Sequence, residues 1–501
     1  MPTRHTASDP LPKLCGADVE LGTFFLGRES FRPTGWEAAA TVLREIEGVA
    51  ASSWWDQRRS TADWDRKFLP ANGGCAYIDM GHLELCLPEV ISARQHVAAW
   101  HALLRIAEAA RQRANRKLPD GERVELLANS SDGRGHSYGG HLDLLVSRRC
   151  FDDLFYRRAH HLSFLASFLA TVLPLTGAGK LGAEAGPSVP FQISQRADFF
   201  TSMVGYQTTH ERPLVNARDE SHAGSHQARL HVIFLDTTLC HVSCLLRIGL
   251  LQIVAAMLEQ GEVDLSLLLH DPVRAARVVS RDLTLRAKLR LLHGRPLSAL
   301  EHQRKVLDRA VRFAARGKLS GIVPGAEEIL STWDETLTGL EQDPLTQAGR
   351  LDWVLKKLVL DDARVERHLE EGGGELAHLD QAFHSLDRNE GPFWTCLEAG
   401  LVDRVVSDRE IAQLECEPPE ETRAFARAHL LRRAGSSLRG GSWSEIRLVG
   451  FDSSGETVIS LEDPLRFGRS ETGAILGSGT SFAEAVQTLV IQDDQDRRMP
   501  A

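Results

Sequence analysis

Residues 14–25 read LCGADVELGTFF, with Cys15, Ala17, Val19 and Leu21 alternating against Gly16, Asp18, Glu20 and Gly22. Alternation of apolar and polar positions is the period of a half-buried strand, so Asp18 and Glu20 share one face. Two adjacent anions on a sheet repel and lose hydration unless a cation or an arginine compensates. All-oxygen ligation suits a hard ion such as Mg2+. An edge strand with solvated charges accounts for the pattern equally well.

A second cluster, Tyr77-Ile-Asp79-Met-Gly-His82-Leu-Glu84, lies in a strand read over Cys75–Leu87. Tyr77 and Asp79 share a face by parity. Glu84 falls on the opposite face unless a bulge at Met80–Gly81 restores the alternation, and Gly81 permits one. A surface turn after the strand is the plainer reading. Three arginines offer a counterpart: Arg196, on a strand over Pro190–Phe200 with Asp198 on the same side, Arg218 in the turn-like VNARDESHA, and Arg229, two residues before His231 on RLHVIF. Together they would suit polyphosphate through forked hydrogen bonds. Singly, each is a surface ion pair worth little. Function requires that they converge.

Outward from these segments, helices are read at Trp36–Val49, Gln95–Lys117 and Cys240–Leu258, with an exposed loop at 51–70 and a polar Gly-rich loop within 120–145. From 262 to 437 the pattern is almost entirely helical, with breaks at 321–325, 371–374 and 418–419. Trp443–Leu461 alternates like two short strands, and Ser481–Ile491 reads as a helix. The division expected is a flexible N-terminus (1–13), a large domain (14–437), a small α+β domain (438–490) and a flexible tail (491–501). Thr176-Gly-Ala-Gly-Lys180 looks phosphate-cradling but lacks P-loop spacing. The basic run at 274–295 reads as one solvated helix face, able to attract an acidic partner.

The 501 residues are 43% hydrophobic and 25% charged, with a net charge of −10, which describes an acidic globular protein. That balance excludes a dedicated nucleic-acid or anionic-membrane binder, which needs a basic surface to displace counterions. The eight cysteines form no CxxC pair, and Cys240-His241-x-x-Cys244 lies in an apolar stretch where thiols pack as small hydrophobes. The polar N-terminus has no apolar signal core, and the stretch His161–Leu175 is shorter than a membrane span. A cytoplasmic protein with reduced thiols is expected.

In chain order, Gly16-Ala-Asp-Val-Glu20, Tyr77-x-Asp79-x-x-His82-x-Glu84, Ser137-Tyr-Gly-x-His141, Ser194-Gln-Arg-Ala-Asp198, Asn216-x-Arg-Asp-Glu-x-His222-Ala and Arg229-Leu-His-Val-Ile233 stand together. With DPLTQAGRLDWV, CEPPEETRAFARAHLLRR and the Trp443 segment GGSWSEIRL, they make the chain resemble the Pup ligase/deamidase family over about residues 14–480. The resemblance implies an α+β, glutamine-synthetase-like fold. Its curved antiparallel sheet, flanked by helices, binds ATP and Mg2+, and a small C-terminal α+β domain packs at its end. It implies action on the C-terminal Gln or Glu of a small acidic ubiquitin-like modifier, Pup, and its protein conjugates, by a monomer.

By position, the resemblance makes Asp18, Tyr77 and Glu84 metal ligands with Glu20 and His231 nearby, and Asp79 the catalytic aspartate. Arg196, Arg218 and Arg229 would hold phosphates, and Trp443 would lie against the nucleotide. Asp18 replaces the usual Glu. Ala128-Asn129-Ser130, His141-Leu142-Asp143 and Cys75 depart from the expected Lys-Asn-Asn, His-Glu-Asn and an arginine. SQRADFF, VGYQTT and EPPEETRA favour the deamidase/depupylase branch, whereas the short connection before Tyr77 is closer to ligase length. A Pup–protein ligase, a carboxylate–amine ligase with another substrate, and a non-catalytic binder are the alternatives; the intact Asp79 speaks against the last.

Overall fold

Strand β1, Cys15–Leu26, divides the molecule into two sides. The computed structural model describes residues 10–28, 35–50, 63–370, 372–451, 455–477 and 479–498. Cys15, Ala17, Val19 and Leu21 are buried in one core with the helices Gly35–Leu43, Ala93–Asn115 and His241–Glu259. Asp18 and Glu20 face a cleft on the opposite side.

The remaining strands of this half are β2 (Val49–Ala50), β3 (Asp63–Phe68), β4 (Cys75–Asp79), β5 (His82–Cys86), β6 (Arg123–Leu127) and β7 (Gly140–Ser147). A separate ribbon, β8 (Lys180–Leu181) with β9 (Phe191–Gln192), precedes β10 (Phe200–Gly205), β11 (Arg212–Asn216) and β12 (Gln227–Val232). The sheet runs β10-β11-β12-β7-β1-β5-β4-β3-β2, with β6 on the far end of β1. It is antiparallel as expected, except that β10 and β11 pair in parallel at one edge. β1 pairs with β7 through Cys15–Val19 and with β6 from Gly22 onward. The Gly-rich segment joining β6 to β7 therefore crosses the sheet where β1 changes partner, beside Glu20.

Several expectations change. Met80 and Gly81 both have positive φ, 46° and 94°, and form the two-residue turn of a hairpin, which is the turn and not the bulge of the two readings. Tyr77 stands opposite Glu84 and Asp79 opposite His82, so a chain reversal brings all four to one face. Within the stretch read as a loop at 51–70, Asp63–Phe68 is a strand, while 51–62 lie outside the described residues. Arg196 is not on a strand: β9 stops at Gln192 and a short 3-10 turn covers Ala197–Phe199. The cause is buried Asp236, whose carboxylate accepts from the N–H groups of Gln195 (2.8 Å) and Arg196 (3.1 Å) and from Ser194 Oγ (2.9 Å). Side-chain acceptance replaces the ladder bonds a strand would need. Asp198 instead accepts from Gln192 at 2.7 Å and Arg281 at 2.6 Å.

Lys180 of the P-loop-like segment is buried and ion-paired with Glu184 and Asp198, so it cradles nothing. The basic run is helical only to Arg281, and Arg286 and Arg290 lie on irregular chain beyond it. Helix His241–Glu259, longer than the His161–Leu175 stretch, would span a membrane by length and composition but is wholly buried. Cys240 and Cys244 are buried with it.

At the other end, β13 (Leu438–Gly441), β14 (Glu445–Val449) and β15 (Glu456–Ser460) form a small sheet. Ile446, Leu448 and Ile459 pack with Leu430 and Leu431 of helix Ala424–Ala434, and this second core also takes in Phe68, Cys75 and Tyr77. The last helix, Phe482–Arg498, runs through most of the stretch expected to be a tail. Near the start, buried Lys13 pairs with Glu259 at 2.6 Å, while 1–9 lie outside the described residues.

Candidate active site

The acidic face of β1 floors a cleft of about 1560 Å³, lined by each expected metal, catalytic and nucleotide residue: Asp18, Glu20, Tyr77, Asp79, Glu84, Arg196, Arg218, Arg229, His231 and Trp443. Glu20, Asp79 and Glu84 come together, each offering a carboxylate oxygen within 4.8 Å of the others. The Tyr77 hydroxyl donates to Glu84 across the hairpin. Asp18 is engaged one step along the strand, by His141 Nδ1 at 2.8 Å and the His141 N–H at 3.3 Å. His231 turns to Asp143, with Nδ1 2.7 Å from Oδ1, on the β7–β12 wall. The expected ligands thus divide into a central triad that includes Asp79 and two flanking carboxylate–histidine pairs.

Burial pushes the Glu84 carboxyl well above the usual range, and the charges of Asp18, Glu20 and Asp79 push it further. Burial, then the neighbouring Glu84, likewise raises the Tyr77 phenol. Burial opposes the charged form of His141, but Asp18 outweighs it and holds the imidazole above its ordinary value. Such crowding of oxygens is relieved by a hard divalent cation, and the donor set fits Mg2+. Titrating Mg2+ into the protein is therefore expected to raise its melting temperature, by about 2.7 kcal/mol of stabilisation at a hundredfold excess over Kd. In Glu84→Gln most of that shift, followed by calorimetry, should vanish.

The arginines form two groups. Arg196 is buried, and its Nε and Nη1 have no hydrogen-bond partner among the described residues. Burial, with Arg212 beside it, depresses the guanidinium to about 10. A buried cation with idle donors facing a cleft is an anion site. Gly139 allows the close approach: at φ +149°, a Cβ there would lie 2.7 Å from Arg196 Nη1. The Gly139 N–H also donates to Glu20 at 2.9 Å. Arg218 and Arg229 sit elsewhere. Arg218 Nε donates to the Tyr206 carbonyl at 3.0 Å, and Arg229 reaches Glu220 at 3.3 Å and Asp143 at 3.6 Å. Trp443 is held against the Arg427 guanidinium at 4.8 Å and meets Phe68 edge-on at 5.3 Å.

Several residues at or supporting the site escaped sequence reasoning. Arg66 lies inside the supposed loop and Arg212 in no motif, yet both line the cleft. Asp143 stood out only as a departure. Asp236, which shapes the Arg196 turn, does leave a trace, a lone acid closing the apolar run VIFLD. The retained Asn129 and the Ser130 departure both act structurally: Asn129 accepts from Tyr138 at 2.7 Å, and Ser130 Oγ accepts from the Thr237 N–H at 2.9 Å.

Residues 32–447 match the family described as Pup-ligase protein. A depupylase of Acidothermus cellulolyticus is 35% identical over 424 residues, covering 83% of this chain and 82% of its own. A Pup–protein ligase of a Nocardioides species is 34% identical over 418 residues, covering 81% and 90%. The solved structure of the Pup ligase PafA in complex with ADP superimposes with a TM-score of 0.71 at 26% identity, over 88% of this chain and 92% of that one. PafA in its complex with Pup superimposes at 0.76 over 99% and 97%, at 24% identity, a likeness of fold. Relatives that cut and relatives that join stand at nearly equal distance around one architecture, and the chain belongs with them as an enzyme of the Pup-ligase protein family.

Proposed function

We propose that this enzyme is a Mg2+- and ATP-binding amide hydrolase of the deamidase/depupylase type, acting at the C-terminal Gln or Glu linkage of a Pup-like modifier. The observation that carries the reading is the placement of Asp79: a half-buried carboxylate among Glu20 and Glu84, on the cleft that also holds the idle Arg196. The 35% identity to a depupylase supports the hydrolytic direction. Glu20 and Glu84 would hold the ion, and Arg218, Arg229 and Trp443 the nucleotide. When bound, the metal ion would supply positive charge and the nucleotide would help to orient the substrate in the cleft. Asp79 would either attack the side-chain amide carbon, with the C–N bond breaking to release ammonia or the conjugated lysine amine and water then opening the anhydride, or take the proton of a water whose attack breaks the same C–N bond. Arg196, with Arg212 behind it, stabilises the negative charge that develops on the amide oxygen.

A ligase is the second reading, favoured by the 34% identity to a Pup–protein ligase and the likeness to the ADP complex of PafA. There Asp79 would accept the proton of an incoming lysine. One experiment separates the two. With Mg-ATP and Gln-ended Pup, a deamidase adds about one dalton to the modifier without stoichiometric ADP. With Glu-ended Pup and an amine, a ligase releases one ADP per bond, because the carboxylate must first be phosphorylated. Absence of both signals overturns both readings.

A further inference from the structure

β3 and β4 pair out of step: Trp64 stands opposite Ile78 and Lys67 opposite Ala76. Asp65 and Arg66 therefore share the single partner Tyr77, which is a β-bulge. Asp65 takes φ +52°, a left-handed conformation that side chains rarely adopt. Bulges re-aim the side chain that follows. Here the Arg66 guanidinium is laid over the Tyr77 ring, 3.7 Å from its centroid, and Nη1 donates to Cys75 Sγ at 3.3 Å. Lys67 turns away to the carbonyls of Leu43 and Ile46. Phe68, again on the Arg66 side, meets Trp443.

Arg66 is thereby set between an aromatic wall, Phe68 with Trp443, and the Tyr77–Glu84 corner of the carboxylate triad. A flat nucleobase against that wall and a phosphate chain neutralised by a cation held at the triad would be joined by a ribose, and Arg66 lies along that span. A guanidinium stacked on a ring is oriented in advance and weakly hydrated, which suits it to a phosphate oxygen. We propose that Arg66 is a nucleotide-binding residue that holds the phosphate nearest the ribose, making the site select a nucleoside di- or triphosphate over the bare nucleoside. The proposal rests on the Mg-nucleotide reading above.

The test is calorimetric binding of Mg-ADP, with adenosine as a competitor, to the full chain and to Arg66→Ala, Arg66→Gln and the double variant Arg66→Ala/Cys75→Arg. Both single variants should bind Mg-ADP about tenfold or more weakly, as loss of a charged hydrogen bond requires, with adenosine changed less than about twofold. The double variant should recover most of the loss, since an arginine from β4 reaches the same point from beside Tyr77. Arg66→Gln keeps the size of a polar side chain should the alanine variant fold poorly, and melting curves identify that case. Mg-ADP bound within about twofold of wild type by Arg66→Gln, or adenosine weakened by the same factor as Mg-ADP, overturns the proposal. A wild-type chain that binds no Mg-ADP overturns the nucleotide reading itself.

Discussion

Asp79→Asn is expected to lower turnover by about 10²–10⁴-fold, the contribution of a proton-accepting group placed on a reacting centre. Asparagine keeps the size and one oxygen of the side chain but can neither take up a proton nor attack as a carboxylate. The hairpin that positions residue 79 does not depend on the charge: its turn is Met80–Gly81, and its register is held by backbone bonds to β5. The melting temperature should therefore stay close to wild type. Removing one of three crowded anions also reduces the repulsion on Glu84, so nucleotide binding should survive. Single-turnover rates and Mg-ADP affinity, measured on the same preparation, check this. Wild-type turnover in Asp79→Asn would remove the mechanism proposed, in either direction of the reaction.

Glu89→Ala is expected to cost about 3–5 kcal/mol of stability, the range for removing one partner of a buried ion network. Glu89 Oε1 accepts from Arg423 Nε at 2.7 Å and Arg427 Nη1 at 3.1 Å, and Arg427 Nη2 binds the other oxygen. Those arginines tie distant parts of the chain together. Arg427 Nε donates to the Gly73 carbonyl at 2.9 Å, its Nη1 to the Trp443 carbonyl at 3.2 Å, and Arg423 Nη1 to the Leu461 carbonyl at 2.9 Å. Without the carboxylate, two buried guanidinium groups lose their counter-charge at once.

Trp443 should loosen with them, so Glu89→Ala should also weaken nucleotide binding. Acid acts on the same carboxyl. Burial pushes it up, but Arg427 and Arg423 outweigh burial and lower it from 4.5 to about 2. A group depressed by folding stabilises the folded state above its unfolded value and loses that contribution as pH falls through its folded value. Stability from Glu89 is thus complete above pH 4.5 and fades toward pH 2, a loss of about 3 kcal/mol by linkage. Urea unfolding of wild type and Glu89→Gln should differ most above pH 4.5 and converge as pH falls to 2.

The strand β1, the buried helix His241–Glu259, the small C-terminal sheet and the acidic face were legible because each repeats within a few residues, and local period determines which side chains share a face. The cleft residues named from motifs line one cavity, which no local period could report. At Met80–Gly81 the sequence left a bulge and a turn both open, since parity alone reports that two residues share a face and not whether the chain reversed between them. Arg196 left its predicted strand because Asp236, from another part of the chain, offers its backbone better acceptors.

Alternation and composition by themselves determined an acidic globular chain with Asp18 and Glu20 on one face of a strand, while the α+β architecture was implied by the resemblance of its motifs to a family. Only the tertiary structure decided which of those carboxylates meet, that Asp79 joins Glu20 and Glu84 while Asp18 and His231 take other partners, and that Arg66 and Glu89 belong to the site. The physical reason is range. A face is set by torsion angles between neighbouring residues, whereas an ion cluster is set by Coulomb and desolvation energies between groups that folding alone brings near.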